Sequence, residues 1–230
     1  GIDSLNMDAA TIAGIFRGEI VRWNDPAIAG QNPGVDLPDL PVTAVSRADD
    51  SGTTENFTEY LHDAAPDAWP DSPSGSWPGG LGGENAQGNS GVVSTVTRTE
   101  GAVTYADDSV IDDSMGTVNL LVGEEYVPIS AEGASIAVEQ ASRVPDRGPH
   151  DIALHLDRTT TVPGAYPLVL VSYQIFCSGY ADPNTVELVK AFGLYVVSDE
   201  GQAASEDAAK SAPIPATLAE QARESIESIG

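Results

Sequence analysis

The sequence predicts an α/β fold, because apolar runs typical of strands alternate along the chain with segments that have the spacing of helices. Residues 40–45 form an apolar run, and the residues at 55–61 that follow have apolar side chains at helical spacing. Residues 168–176 are the strongest predicted strand, and a helical pattern follows at 183–197. These two strand-then-helix pairs are the main evidence for the fold class.

The elements at the start of the chain are short. Residues 11–16 predict a helix with an apolar face, and Asp8 is placed to cap it. Pro26 begins a short helical turn after a loop. The Asn-Pro-Gly sequence at 32–34 indicates a turn before the strand at 40–45.

A long loop is predicted at residues 66–91, which are rich in proline and glycine. Trp69 and Trp77 are expected to pin this loop to the body of the protein. The remaining predicted elements are a helix from 91 to 96 capped by Asn89 or Ser90, a strand at 101–106, a hairpin around 123–125, a helix at 136–141, and a last helix at 218–229.

The charge of the chain excludes several classes of partner. The 35 acidic residues outnumber the 10 basic ones and give a formal net charge of −25. Such a surface repels nucleic acid and anionic lipid, so no nucleic-acid partner is expected. Any anion site must therefore act through short-range hydrogen bonds in a shielded cleft. The acidity itself is typical of a solvated surface, with a saline habitat as the alternative.

No stretch approaches the 18 or so consecutive apolar residues of a membrane-spanning helix. The first residues also lack the basic-then-apolar pattern of a signal peptide. A mature or truncated chain would lack that pattern as well, so export stays open.

The most informative segment for function is residues 47–54, Arg-Ala-Asp-Asp-Ser-Gly-Thr-Thr, between a predicted strand and a predicted helix. A helix N-terminus offers unpaired N–H groups and a partial positive charge. Glycine permits close approach to the backbone, and the Arg47 guanidinium suits a tetrahedral oxyanion. The segment thus predicts an oxyanion cradle. The alternative is an ordinary helix start, capped by Ser51 or Asp50, with Arg47 in a surface ion pair.

Other chemistry is weakly supported. The three histidines at 62, 150 and 155 have no ligand spacing typical of zinc, and the acidic pairs at 107–108 and 112–113 lack the features of a calcium loop. We therefore expect no catalytic residue, metal site or cofactor. Cys177 is the single cysteine, and its position after an apolar run predicts a small buried side chain.

Several short motifs follow one another along almost the whole chain. They are IFRGEI at 15–20 with WNDPAI at 23–28, NPG at 32–34, RADDSGT at 47–53, GLGG at 80–83 with GNSG at 88–91, GAVTY at 101–105, YP at 166–167 and IP at 214–215. This ordered set resembles the motifs of phosphate ABC transporter substrate-binding proteins of the PstS type. Each motif is weak alone, but their order is specific.

The resemblance implies a two-lobe periplasmic-binding-protein fold of type II. Residues 1–165 would form a complete second α/β lobe that carries the phosphate loop. Residues 166–230 would return to the first lobe, which is then only partly present. The family has further residues upstream that begin the first lobe and supply a carboxylate acceptor for the phosphate proton. A separate chain or a missing segment is expected to complete that lobe.

The resemblance also assigns roles within the loop. Arg47 would donate hydrogen bonds to phosphate oxygens, and Asp49 would pair with Arg47 and fix its orientation. Ser51 and Thr53 would donate through their hydroxyls. The backbone N–H groups of Gly52 and Thr53 would complete the phosphate site.

The function implied is that of a non-enzymatic receptor, which binds inorganic phosphate between two lobes and delivers it to an ABC transporter permease. The implied location is extracytoplasmic, in a periplasm or at a cell surface, and a lipid anchor through an upstream N-terminus is one form of it. Three alternatives remain: a receptor or sensor for another oxyanion such as sulfate or molybdate, a phosphatase-like enzyme on the same site, and a structural or adhesion role.

Overall fold

The computed structural model describes residues 2–230. Residue 1, at which the predicted second lobe begins, lies outside the described residues. The helices of the described part are α1 Ala9–Phe16, α2 Pro26–Gln31, α3 Gly52–Ala64, α4 Gly88–Arg98, α5 Ala131–Glu139, α6 Pro183–Val196, α7 Asp199–Ala209 and α8 Ala216–Glu227. The strands are β1 Ser4–Met7, β2 Thr43–Arg47, β3 Glu84–Ala86, β4 Ala102–Thr104, β5 Thr117–Val122, β6 Glu125–Val127, β7 Ser142–Arg143 and β8 Leu154–His155. The predicted α/β class is confirmed.

Two three-stranded sheets organise most of the molecule. In one sheet β2 lies between β3 and β4 and is parallel to both, with Val45 opposite Glu84 on one side and Thr104 on the other. In the second sheet β1 is parallel to β5, and β5 forms the predicted hairpin with β6. Parallel pairing places the carboxyl ends of β2, β3 and β4 at one edge of their sheet.

An aromatic cluster joins the first helices to the long loop. Phe16 of α1 packs edge-on against Phe57 of α3 at a ring-centroid distance of 4.8 Å, and Phe57 stacks on Tyr105 at 4.4 Å. Trp77 stacks on Tyr105 at 5.7 Å, and Trp69 is fully buried beside it. The prediction that both tryptophans pin the loop is therefore confirmed. The loop also contains the short strand β3, which the sequence did not predict.

Local capping explains where several helices begin. The Asp8 carboxylate accepts a hydrogen bond of 2.7 Å from the N–H of Thr11, so the predicted cap of α1 is confirmed. Helix α4, by contrast, begins at Gly88 after Gln87, which makes no side-chain capping bond. The prediction that Asn89 or Ser90 caps this helix was wrong, because the helix begins at Gly88, three residues before the predicted start at residue 91.

The prediction of a strand at 168–176 was also wrong. This segment is irregular, and no described strand pairs with it. Leu170 is 50% exposed and Ile175 is 92% exposed. A strand is stabilised by hydrogen bonds to a neighbour and by burial of its faces, and strand propensity alone does not replace them. For the same reason Cys177 is exposed rather than buried, which corrects the second expectation for this segment.

Helix α7 and strand β1 were also not predicted, because their sequences have little apolar periodicity. Helix α7 has the sequence DEGQAASEDAA, whose small and acidic residues give no clear apolar face, and the Ser198 hydroxyl caps it by accepting the Gly201 N–H. Strand β1 has only four residues, and it is stabilised by pairing with β5 and by burial of Leu5 and Met7 in the core. Such elements form because tertiary contacts stabilise them, and the local sequence pattern does not specify them.

A buried arginine ties α3 to the segment at 167–169. The Arg158 side chain is 3% exposed, and its Nη1 donates to the carbonyl oxygens of Pro167 at 2.7 Å and Val169 at 2.9 Å. Its Nη2 and Nε donate to α3, where Asn56 and Glu59 accept. All five N–H groups of the guanidinium are therefore used. This arginine fixes the path of the chain as it leaves the body of the protein.

We predict that Arg158→Met lowers the free energy of unfolding by about 3 kcal/mol, because Glu59 and two carbonyl oxygens lose their donor. Urea unfolding measures this change. Arg147→Met is the matched control, since the Arg147–Asp151 pair is half exposed on the surface and its loss changes stability by at most about 1 kcal/mol. Equal effects of the two substitutions would contradict the assigned role of Arg158.

Candidate functional site

The candidate site lies at the carboxyl edge of the sheet formed by β3, β2 and β4. Strand β2 ends at Arg47, and beyond it the N–H of Ala48 donates to the carbonyl oxygen of Ala86 at 2.9 Å. This bond extends the parallel pairing of β2 with β3 by one residue. Helices α3 and α4 each begin shortly after their strand, so two helix N-termini meet at this edge. Their partial positive charges make the edge favourable for an anion.

Arg47 is held in one orientation by two neighbours. Its Nε donates to Asp49 Oδ1 at 2.9 Å, and its Nη2 donates to Asp49 Oδ2 at 2.5 Å. Its Nη1 donates to the side-chain oxygen of Asn89 at 2.8 Å. The Arg47 side chain is only 10% exposed. Three of its five N–H groups are used in this way, which leaves one on each terminal nitrogen for a ligand.

Asp49 has its own fixed environment. Besides the Arg47 guanidinium, its Oδ1 accepts the N–H of Gly88 at 3.0 Å. The hydrogen bond from Arg47, and then the one from Gly88, hold the pKa of the Asp49 carboxyl well below its usual range. The same pair raises the pKa of Arg47. At neutral pH both groups are charged, so Asp49 acts here as an acceptor that orients Arg47.

Ser51 is the N-cap of α3, as one of the two interpretations of the sequence predicts. Its hydroxyl oxygen accepts the N–H groups of Thr53 at 3.2 Å and Thr54 at 3.4 Å, which are long bonds. Among the described residues, no hydrogen bond uses the N–H of Gly52. The N–H of Ser51 donates to the carbonyl oxygen of Gly75 at 2.9 Å, which closes the long loop against the site.

The structure thus brings together all the residues that the sequence assigns to the phosphate loop, Arg47, Asp49, Ser51, Gly52 and Thr53. Their role toward a ligand stays a prediction. The capping alternative is compatible with the cradle, because the same serine hydroxyl that accepts two N–H groups also has a proton to donate. Arg47 is not in an ordinary surface pair, since its side chain is largely buried.

Sequence reasoning missed Tyr105 as a support of the site. Its hydroxyl oxygen accepts the backbone N–H of Arg47 at 3.1 Å and lies 2.8 Å from the hydroxyl of Thr54. Burial raises the pKa of the Tyr105 phenol, which keeps it neutral. Tyr105 belongs to the GAVTY motif, and its presence in that motif was the one signal that could have marked it as a residue of the site. The same holds for Asn89 in the GNSG motif.

Among the described residues, no histidine is a hydrogen-bond partner of Arg47 or Asp49. The His62 ring contacts the carbonyl oxygen of Asp71 at 3.1 Å, and His150 and His155 are exposed. Across residues 2–230, no group of three or more His, Cys, Asp and Glu side chains is arranged to hold a metal ion. No helix of that same part of the chain has the length and hydropathy needed to cross a membrane.

Comparison with known proteins places this architecture in a family. Residues 3–200 match the family model described as a PBP superfamily domain, and the chain belongs to that superfamily. The phosphate-binding protein PstS 2 of Mycobacterium tuberculosis is 36% identical over 197 residues, which are 84% of this chain and 52% of that protein. PstS 3 of Mycobacterium leprae, also named a phosphate-binding protein, is 37% identical over 195 residues, 84% of this chain and 53% of that protein. The chain spans about half the length of these relatives.

Solved structures agree on the fold. The periplasmic phosphate-binding protein PfluDING, solved with phosphate, superposes with a TM-score of 0.66 at 24% identity and covers 97% of this chain and 66% of its own. A human phosphate-binding apolipoprotein superposes with a TM-score of 0.69 at 19% identity, over 97% of this chain and 67% of its own. The predicted two-lobe binding-protein fold class is confirmed by these matches.

The lowered pKa of Asp49 predicts a pH dependence of stability. A carboxyl whose pKa is lower in the folded state contributes fully above its unfolded pKa of about 4, and this contribution declines as the pH falls below that value. The difference in free energy of unfolding between the wild type and Asp49→Asn should therefore be largest at neutral pH and shrink below about pH 4. Urea unfolding at pH 7, 5, 4 and 3 measures it.

Asp39→Asn is the control for this series, because it removes the exposed pair of Asp39 with Arg22. Its difference from the wild type should stay below about 1 kcal/mol at each pH. A difference for Asp49→Asn that grows as the pH falls would contradict the assigned charge state.

Proposed function

We propose that the protein is an extracytoplasmic solute-binding protein that binds inorganic phosphate and delivers it to the permease of an ABC transporter. The observation that carries the proposal is the largely buried Arg47, held by Asp49 with two N–H groups left over, at the edge where α3 begins. The family assignment and the names of the relatives support the same reading.

In this proposal each residue of the loop has one task. The two remaining N–H groups of Arg47 donate charge-assisted hydrogen bonds to phosphate oxygens. The N–H of Gly52 and the hydroxyls of Ser51 and Thr53 add short-range donors at the positive end of α3. Asp49 orients the guanidinium and keeps it from turning to solvent. These residues need no cofactor.

The acidic surface makes the short-range character of the site essential. A net charge of −25 repels a phosphate anion at long range, and salt reduces that repulsion. Affinity must then come from directed hydrogen bonds in a site shielded from water. We expect phosphate to be distinguished from sulfate by a carboxylate acceptor for its proton, contributed by the lobe that faces this edge.

We propose that residues 1–165 form the lobe that carries the loop and that residues 166–230 return to the other lobe. Side chains of the returning segment are unusually exposed, among them Leu170, Ile175, Leu188 and Phe192. Exposed apolar patches of this kind favour association. We propose that the remainder of the first lobe, in the same protein or in a separate chain, covers them, and that phosphate lies between the lobes.

The alternative of a phosphatase-like enzyme has no support beyond the anion site. The relatives are named binding proteins, and among residues 2–230 no side-chain cluster beside Arg47 offers metal ligands. A binding protein for sulfate or molybdate would use the same hydrogen-bond donors. For this reason sulfate serves as the competitor in the test.

Calorimetric titration with phosphate tests the proposal. In the protein with both lobes complete, we expect tight binding by the wild type that excess sulfate does not displace. Arg47→Ala should weaken binding at least about 100-fold, because two charge-assisted hydrogen bonds are lost. Arg22→Ala is the control, since Arg22 is another arginine in an ion pair but on the exposed surface. Unchanged binding by Arg47→Ala, or equal competition by sulfate, would contradict the proposal.

A further inference from the structure

Besides its ion pair with Asp49, Arg47 has a second partner in Asn89. Asp49 engages Nε and Nη2, whereas Asn89 engages Nη1 from the first turn of a different helix, α4. We infer that Asn89 is a positioning residue for anion binding, which fixes the Arg47 guanidinium through its side-chain oxygen. This inference rests on the proposed function.

Four groups form a closed ring of hydrogen bonds at this point. Arg47 donates to Asp49, and Asp49 Oδ1 accepts the N–H of Gly88 at 3.0 Å. The next residue along the chain is Asn89, whose oxygen accepts from Arg47 Nη1 at 2.8 Å. The start of α4 therefore contacts both members of the ion pair, Asp49 through Gly88 and Arg47 through Asn89. Gly88 has a φ of 71°, a conformation that favours glycine and that aims this turn at the pair.

The ring depends on the sheet below it. The N–H of Ala48 donates to the carbonyl oxygen of Ala86, and this bond aligns the residues after β2 with those after β3. Only two residues separate Ala86 from Asn89, so the backbone of Asn89 can adopt only a small range of positions relative to Ala86. Asn89 is thus placed by the backbone, and its position does not rely on the orientation of Arg47.

Three hydrogen bonds on a planar guanidinium fix both its plane and its rotation within the plane. Without contacts from α4 the pair could swing as a unit, because Arg47 ends β2 and Asp49 lies only two residues beyond it. The Gly88 N–H restrains Asp49, and Asn89 restrains Arg47 itself, so the remaining N–H groups of Nη1 and Nη2 stay at fixed positions. Binding to a preorganised donor loses less conformational entropy.

The amide is also the appropriate chemical group for this task. Asn89 accepts a hydrogen bond without adding charge, whereas an aspartate there would place a second carboxylate on Arg47. A guanidinium between two carboxylates attracts an anion less strongly. In a chain with a net charge of −25, a neutral acceptor orients Arg47 and preserves its positive charge for the ligand.

A double-mutant cycle tests this inference by phosphate titration of the wild type, Asn89→Ala, Arg47→Lys and the double variant. Asn89→Ala should weaken phosphate binding about tenfold in the wild type. In the Arg47→Lys background the same change should alter affinity less than about twofold, because the oriented guanidinium is already gone. Ser90→Ala, an exposed neighbour in the same helical turn, is the control and should bind like the wild type.

A measurement without phosphate separates this inference from the proposed function. Nitrogen-15 NMR of the arginine side chains, assigned with Arg47→Lys, should show faster hydrogen exchange of the Arg47 Nε–H in Asn89→Ala than in Ser90→Ala. Asn89→Asp, which keeps the shape and the acceptor, should retain slow exchange yet bind phosphate more weakly, and more so at low salt.

The outcomes are distinct. A wild type that does not bind phosphate overturns the proposed function, and the part of this inference that concerns anion binding falls with it. Phosphate binding by the wild type that Asn89→Ala leaves unchanged overturns this inference alone. An effect of Asn89→Ala that is equally large with Lys at position 47 also overturns it, since Asn89 would then act independently of Arg47.

Discussion

The parallel pairing of β2 with β3 is the constraint on which the rest of the candidate site depends. It brings Arg47 at the end of one strand next to the residues that follow the other, so that Asp49, Gly88 and Asn89 reach the same point. Without this register the guanidinium would have one partner instead of two. The two helices that follow these strands then begin at the same edge, where their N-termini favour an anion.

Much of this edge was predictable from the sequence, because its signals are local. The RADDSGT segment lies between an apolar run and a helical pattern, and its Arg-x-Asp spacing allows the side-chain pair that the structure contains. Ser51 at the start of α3 follows from ordinary capping preference. Asn89 and Tyr105 were not predicted as partners of Arg47, because contacts across 42 and 58 positions of the chain have no local signature.

The errors have a common physical origin in interactions that the sequence alone does not display. The apolar run at 168–176 has strand propensity, yet in the described part of the chain it has no strand beside it and stays irregular, with Ile175 exposed. Cys177, which follows this segment directly in the sequence, is exposed for the same reason. Arg158, which anchors the start of this segment, also bonds to Asn56 and Glu59 of α3, which lie 102 and 99 positions away in the sequence.

The central claim is that Arg47, oriented by Asp49, is the principal donor to the bound anion. A crystal structure of the protein with phosphate tests it most directly. We expect phosphate oxygens at about 2.7–2.9 Å from both terminal nitrogens of Arg47, with the pair to Asp49 intact. A phosphate bound elsewhere, or an Arg47 side chain that has left Asp49 and points to solvent, would contradict it.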